Sequence, residues 1–276
     1  MTSTAEPGAA GTIVLIHGLW MTPLSWEKWI EHYEAKGYKV IAPGWPGING
    51  DPAALRRDPS PIANLGVKEI ADHFEQIIRG LDEPPIIMGH SFGGLITQIL
   101  LDRGLGVAGV GIDSAPPKGV LKLPFSALRV ASTALRNPTN SHKAVALTPK
   151  QFHYAFGNTL SEKDSQTVYE RYAIPGPGRP LFEAAFAALS PNSPTKVNLH
   201  NDNRAPLLLI AGGKDHTVPA SLTRTNYKLQ HKSKAPTEIK EFPGRSHYTV
   251  GQDGWEEVAD YALDWATKHA KVPAAA

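Results

Sequence analysis

The sequence has no cysteine among its 276 residues, which excludes disulfide bridges and thiolate metal sites. It also lacks any apolar run near the ~18 residues that a transmembrane helix needs, so we expect no membrane span. The first residues, MTSTAEPGAAG, contain neither a basic stretch nor an apolar core, which is unlike a signal peptide. We therefore expect a cytoplasmic protein. We also expect its first segment, MTSTAEPGAAG, and its last segment, KVPAAA, to be unstructured.

An excess of charge of one sign is missing as well. The formal net charge is +2, and no basic block stands out. An overall balance this even predicts neither a nucleic-acid partner nor a membrane partner, and leaves a small molecule as the expected ligand. The histidines do not pair with carboxylates at metal-ligand spacing, so we expect no metal site. Nothing in the sequence indicates the oligomeric state.

Short apolar runs alternate with segments of helical periodicity along most of the chain. The runs are nearly continuous, which is typical of strands buried on both faces: TIVLIHG, YKVIAPG, PPIIMGH, VAGVGIDSAP, PLLLIAGG and TEIKEFPG. Between them, helical spacing extends over PLSWEKWIEHYEAKG, over residues 62–81, over FGGLITQILLDRG and over residues 220–231, and a last helix follows Trp255. This alternation predicts an α/β protein, in which a mostly parallel sheet carries helices on both faces.

The alternation stops after Pro117 and resumes at the run PLLLIAGG. Residues 121–198 are rich in alanine, proline and aromatic residues, contain no buried-strand run, and predict several short helices. We therefore expect a core formed by residues 11–120 and 199–270, with residues 121–198 inserted between two strands over the carboxyl ends of the sheet.

A strict G-x-S-x-G motif, Gly89-His90-Ser91-Phe92-Gly93, lies between a predicted strand and a predicted helix. In that context the motif predicts a nucleophile elbow, because a turn so tight strains the serine and leaves no room for side chains two residues away. The alternative is a strand-to-helix turn that uses glycine only for close packing.

A nucleophilic serine needs a histidine base and an acid that orients it. Asp215 follows the strand PLLLIAGG and His247 follows the last predicted strand, so the order is serine, acid, histidine, as the elbow fold uses. The chief rival acid is Asp113, at the end of the strand after the serine. His216 is the rival base, although it follows the wrong strand, and we assign packing rather than chemistry to His90.

The tetrahedral intermediate of acyl transfer also needs two amide donors. We expect one from Phe92, directly after the serine, and one from the HGLW segment after the first strand. There Leu19 is our choice and Trp20 the second.

The chain resembles the α/β-hydrolase superfamily from about residue 11 to residue 269. The segments that carry the resemblance are HGLW, GHSFGG, GGKDHTVP and GRSHY. The resemblance implies a sheet of eight strands, or six if the edge strands before Gly11 are absent. It also implies a helical cap in the insertion and a serine hydrolase that uses no cofactor. The serine at position 91 differs from the aspartate of epoxide hydrolases and haloalkane dehalogenases.

Aromatic residues after strand ends or in the insertion predict an apolar pocket; the candidates are Trp20, Trp45, Phe125, Phe152 and Phe156. A carboxylesterase for a small to medium apolar ester, acting through an acyl-enzyme, is our first hypothesis. The alternatives on the same triad are a lactonase, a C–C bond hydrolase and a cofactor-free perhydrolase. The remaining alternative is a ligand-binding protein that has the same fold and no catalytic activity.

Overall fold

The computed structural model describes residues 11–48 and 51–271, so the predicted unstructured ends lie almost wholly outside it. Its strands are β1 (Thr12–Ile16), β2 (Lys39–Ile41), β3 (Ile86–His90), β4 (Ala108–Ile112), β5 (Ala144–Val145), β6 (Gly176–Pro177), β7 (Leu207–Gly212) and β8 (Thr237–Phe242). Six of them form one sheet in the order β2-β1-β3-β4-β7-β8, and all its pairs are parallel. The expected parallel sheet is confirmed, with six strands in the part of the chain that the structure describes.

The helices are α1 (Glu27–Glu34), α2 (Pro52–Arg57), α3 (Val67–Arg79), α4 (Phe92–Asp102), α5 (Phe125–Leu135), α6 (Pro149–Ala155), α7 (Glu162–Tyr172), α8 (Arg179–Ala185), α9 (Ala220–Gln230) and α10 (Trp255–His269). Two begin later than helical spacing predicts. Residues Ser60–Ile62 form a separate 3-10 turn, and extended backbone at Gly66 delays α3 until Val67. Likewise Pro23–Trp26 is a 3-10 turn before α1.

The sheet is covered on both faces, as its apolar strands predict. On one face Val14 and Ile16 belong to a core cluster that includes side chains of α3 and α4. On the other, Ile13 and Leu15 pack in a second cluster with side chains of α1 and α10. Because strand side chains alternate between faces, a single strand feeds both cores. Full burial of each such side chain stabilises the fold by about 1.5–3 kcal/mol.

The segment between β4 and β7 contains α5 to α8, with β5 and β6 paired antiparallel between them. It is fastened to the rest of the chain by polar contacts. Arg56 donates to the Ala173 carbonyl over 2.7 Å. The Glu183 carboxylate accepts from the Val67 amide over 2.8 Å at the start of α3. These bonds hold the segment over the carboxyl end of the sheet, where Ser91 lies.

Among the residues that the structure describes, no helix combines the length and the apolar character needed to cross a bilayer. The expected location in the cytoplasm stays a prediction.

Candidate active site

Ser91 stands at the turn between β3 and α4 in a strained backbone conformation, with φ of 55° and ψ of −121°. A Cβ atom at Gly89 would lie 2.1 Å from the Gly93 carbonyl oxygen, and one at Gly93 would lie 2.1 Å from the Ile16 carbonyl oxygen. Such distances are far inside van der Waals contact, so only glycine fits either position. The turn thus has the geometry that the glycine spacing predicts.

Asp215 and His247 reach Ser91 from the loops after β7 and β8. The Nε2 atom of His247 lies 3.0 Å from the Ser91 Oγ, and its Nδ1 lies 2.6 Å from Asp215 Oδ2. The other Asp215 oxygen accepts from the amides of Thr217 and Val218 over 2.6 and 2.8 Å. These amides fix the carboxylate so that Oδ2 faces the imidazole. The chain can therefore hold a proton on His247 Nδ1 and leave Nε2 to accept one from the serine.

The two rivals from the sequence form hydrogen bonds with groups other than the His247 ring. Asp113 is fully buried at the end of β4, where its Oδ1 accepts from the Gly212 amide over 2.6 Å. Its Oδ2 has no hydrogen-bond partner among the described residues. Burial, and then the charge of Asp215, raise the pKa of the Asp113 carboxyl well above its usual value. His216 instead donates to the Tyr154 carbonyl over 3.0 Å.

His90, the second residue of the motif, contacts both the backbone and the ring of His247. Its Nε2 donates to the carbonyl of His247 over 2.8 Å, and the two rings lie 4.7 Å apart. Burial lowers the pKa of His90 well below its usual value, and the nearby His247 adds to the shift. A neutral His90 with its proton on Nε2 holds the backbone of His247 in place.

His90, Asp113 and His247 each bring one ligand atom within 4.8 Å of the others, which is close enough to consider a metal ion. Hydrogen bonds already account for three of the four ring nitrogens, however. Both ring nitrogens of His247 face Asp215 and Ser91, and His90 Nε2 is bonded to a carbonyl. His90 Nδ1 and the Asp113 carboxylate are the remaining ligand groups of the cluster, and these two residues are fewer than the three or four protein ligands of a zinc site.

The HGLW segment passes directly beside the serine. A Cβ atom at Gly18 would lie 2.8 Å from the Cβ of Ser91. Within the described part of the chain, the amides of Leu19 and Phe92 donate no hydrogen bond to backbone or side chain. Two free amides near one hydroxyl are what an oxyanion site requires. Trp20, with φ of 66°, turns the chain away after Leu19.

His17 holds this segment, a role that the sequence did not predict although the histidine stands first in HGLW. Its ring stacks on Trp45 at 4.9 Å, and its Nε2 accepts from the Trp45 amide over 3.2 Å. Its Nδ1 donates to the Gly18 carbonyl over 2.9 Å. Burial lowers the pKa of His17 to about 4, so the ring is neutral and its tautomer fixed. A histidine directly before the glycine at a strand end was the available signal.

A cavity of about 260 Å³ opens beside Ser91, between the insertion and the core. Its polar lining residues are Ser91, Thr217 and Lys122. Otherwise its walls are mainly apolar, with side chains that include Ala127, Leu128, Ala131, Leu181, Ala184, Val218 and Leu222. Such a wall suits an apolar group next to the bond that reacts.

Of the five aromatic residues expected around a pocket, the cavity wall includes Trp20 and lacks the other four. Phe152 and Phe156 are fully buried and stack on each other at 4.8 Å; the edge of Phe156 also meets the His247 ring at 4.8 Å. Trp45 is buried against His17. Phe125 is 79% exposed on the outer side of α5. These four rings fill the core or face solvent, and the aromatic side chains of the wall are Trp20 and Phe92.

Comparison with known proteins agrees with this arrangement. A sequence model of the alpha/beta hydrolase family matches residues 13–261. The chain belongs to the alpha/beta hydrolase family. The chain is also similar in sequence to (E)-2-((N-methylformamido)methylene)succinate hydrolase of Acinetobacter baylyi. It is 26% identical over 242 residues, which are 85% of this chain and 82% of the relative.

Solved structures of other alpha/beta hydrolases superimpose over nearly the whole chain. The monoacylglycerol lipase of Paleococcus ferrophilus has a TM-score of 0.65 and 23% identity, covering 95% of this chain and 96% of that one. Tomato methylketone synthase I, complexed with 2-tridecanone, has a TM-score of 0.67 and 16% identity, covering 94% and 98%. Identities this low establish the shared fold and leave the substrate open.

Proposed function

We propose that the protein is a serine hydrolase that cleaves carboxylic esters of small to medium apolar substrates through an acyl-enzyme on Ser91. The observation that carries the proposal is the position of His247, whose two ring nitrogens face the Ser91 hydroxyl and the Asp215 carboxylate at 3.0 and 2.6 Å. The apolar cavity beside the hydroxyl supports the substrate class.

In the proposed reaction the Ser91 hydroxyl attacks the ester carbonyl while His247 Nε2 takes its proton. The amides of Phe92 and Leu19 bind the oxyanion, and loss of one such donor costs about 3 kcal/mol of barrier. His247 then returns the proton to the departing alkoxide. Water, activated by the same imidazole, attacks the acyl-enzyme and releases the acid.

We further propose that residues 121–198 are the cap of this enzyme and that residues 11–120 and 199–270 are its catalytic core. The cavity supports this division, because the core contributes Ser91, Val218 and Leu222 to its wall while α5 and α8 contribute Leu128 and Leu181. Trp20 ties the two parts together, since its indole donates to the Val145 carbonyl over 2.9 Å.

The test is hydrolysis of p-nitrophenyl esters of increasing acyl length by the wild type and by Ser91→Ala. The matched control is Ser165→Ala, since Ser165 is also buried and its hydroxyl has no partner among the described residues. We expect turnover by the wild type and the control, and none above background by Ser91→Ala.

Labelling with a fluorophosphonate separates the remaining outcomes. Labelling that Ser91→Ala abolishes, without cleavage of any ester, would keep the nucleophile and move the search to lactones, C–C bonds or peracid formation. If the wild type shows neither labelling nor turnover, the enzyme proposal is overturned in favour of a ligand-binding protein of the same fold.

A further inference from the structure

The large apolar side chains that are exposed in the described part of the chain all come from the insertion. We call them the apolar rim: Leu121, Leu123, Phe125, Leu128, Phe186 and Leu189. Four of them are more than 70% exposed: Leu121, Leu123, Phe125 and Leu189. Scattered single apolar residues are ordinary on a surface, but a concentration of this kind marks a binding face.

Two residues of the apolar rim lie at the mouth of the cavity. Leu123 and Leu128 are exposed and also line the cavity, so the cavity reaches the surface between them. The two stretches of chain that carry the rim are bonded together. The Lys118 ammonium donates to the Ser190 carbonyl over 2.6 Å, which places the residues before Leu121 beside those after Leu189.

The same part of the chain is strongly cationic. Residues 114–161 contain no aspartate or glutamate and carry six basic residues, Lys118, Lys122, Arg129, Arg136, Lys143 and Lys150. In the described residues none of the six forms a salt bridge. Since the whole chain carries only +2, the other residues together are net negative. The positive charge is therefore concentrated in residues 114–161, of which Lys122 lines the Ser91 cavity, and salt bridges within the described residues do not neutralise it.

Cationic and apolar groups share one face of α5. The exposed positions along it are Phe125, Leu128, Arg129, Ser132 and, at its C-terminal cap, Arg136. They recur every three or four residues and so form a single stripe. Arg129, Arg136 and Lys150 also line a second cavity of about 290 Å³, whose lining contains no carboxylate. That cavity can accept an anionic headgroup beside the apolar rim.

We propose that the apolar rim and these cations dock the protein on an anionic lipid surface, with the mouth of the Ser91 cavity facing the lipid. Apolar side chains enter the boundary between headgroups and acyl chains, while lysine and arginine bind the anionic headgroups. The charge complementarity selects a lipid surface of negative charge over a neutral one. Docking goes beyond the proposed hydrolysis and is measured without it.

The experiment is co-sedimentation of the full chain with vesicles of phosphatidylcholine alone or mixed with phosphatidylglycerol. We expect binding to the mixed vesicles that weakens as salt is added. Each surface cation contributes about a factor of five, so Arg129→Gln/Arg136→Gln should lower the partition coefficient about 30-fold. Leu121→Ser/Leu189→Ser should lower it more than about tenfold, because both side chains lose their burial in lipid.

The matched control is Lys232→Gln/Lys234→Gln, which removes two exposed charges before β8, at the opposite end of the sheet from Ser91. It should bind vesicles like the wild type, and soluble-ester turnover and circular dichroism check that every variant is folded. No binding to mixed vesicles at low salt would overturn the proposal. An equal loss in the control would also overturn it. Equally tight binding to heparin, independent of Leu121 and Leu189, would assign the surface to a soluble polyanion and reject the lipid.

Discussion

His247 Nδ1 and Asp215 Oδ2 lie 2.6 Å apart, with both side chains fully excluded from solvent. In such a site an imidazolium formed during the reaction has one carboxylate directly beside it. The carboxylate itself is held by two backbone amides, at Thr217 and Val218, so it does not have to reorganise as charge develops.

Asp215→Asn should therefore lower kcat by roughly four orders of magnitude, because an amide cannot hold His247 in the tautomer that accepts the serine proton. The measurement is steady-state hydrolysis of a short p-nitrophenyl ester. Asp113→Asn is the matched control and should change kcat by less than about tenfold, since the imidazole faces Asp215. A larger loss in Asp113→Asn than in Asp215→Asn would exchange the roles of the two acids.

His17 is expected to act as a positioning residue for the oxyanion site. Without its bond to the Gly18 carbonyl, the segment that carries the Leu19 amide is free to move. His17→Ala should lower kcat by about two orders of magnitude with little change in KM, as for loss of one oxyanion donor. His17→Asn keeps a donor near the Nδ1 position and should recover part of the rate. A rise in KM with unchanged kcat would contradict this role.

The elbow can be predicted from the sequence because steric exclusion fixes its glycines. A Cβ atom at Gly89 would collide with Gly93 within the turn, and one at Gly93 would collide with the Ile16 carbonyl of β1. Asp215 and His247 can also be predicted from the sequence, because parallel strands bring the loops that follow them to the same edge of the sheet. Nothing local shows which rings fill the core. Phe156 and Phe125 look alike in sequence, yet one packs on His247 and the other faces solvent.

The net charge and the residue type also do not show where a charged group lies or what surrounds it. The net charge of +2 predicts no membrane partner, whereas residues 114–161 combine six cations with no acid and carry four of the six exposed apolar side chains of the rim. In the sequence, Asp113 likewise looks like an ordinary acidic residue at the end of a strand. Its raised pKa follows first from complete burial and then from the neighbouring Asp215, which is distant in sequence.

The cavity wall predicts acyl-chain selectivity. Each methylene that enters an apolar site contributes about 0.8 kcal/mol, roughly fourfold in kcat/KM, until the cavity is full. Ala184→Phe would fill part of the space beside Leu181, so longer esters should lose rate while the acetate is little affected. The measurement is kcat/KM across the ester series. Ala188→Phe, an exposed position outside the wall, should leave the profile unchanged, and equal profiles for both variants would place the acyl group elsewhere.

Asp113 predicts a pH dependence of stability. Its folded pKa is raised, so between its ordinary value of 3.8 and that raised value the folded chain binds a proton that the unfolded chain has lost. The free energy of unfolding therefore falls as pH rises through this window. Asparagine cannot titrate and keeps an acceptor for the Gly212 amide.

Relative to the wild type, Asp113→Asn should thus become progressively more stable from about pH 4 towards neutrality, with little difference below pH 4. Urea unfolding at a series of pH values measures this difference. Asp253→Asn, at a position exposed to solvent, serves as the matched control and should run parallel to the wild type. Parallel curves for Asp113→Asn as well would mean that the Asp113 carboxyl is ionised in the folded protein. The Thr249 hydroxyl, which donates to the Ser246 carbonyl in this structure, is the side chain near enough to turn towards Asp113 and stabilise that charge.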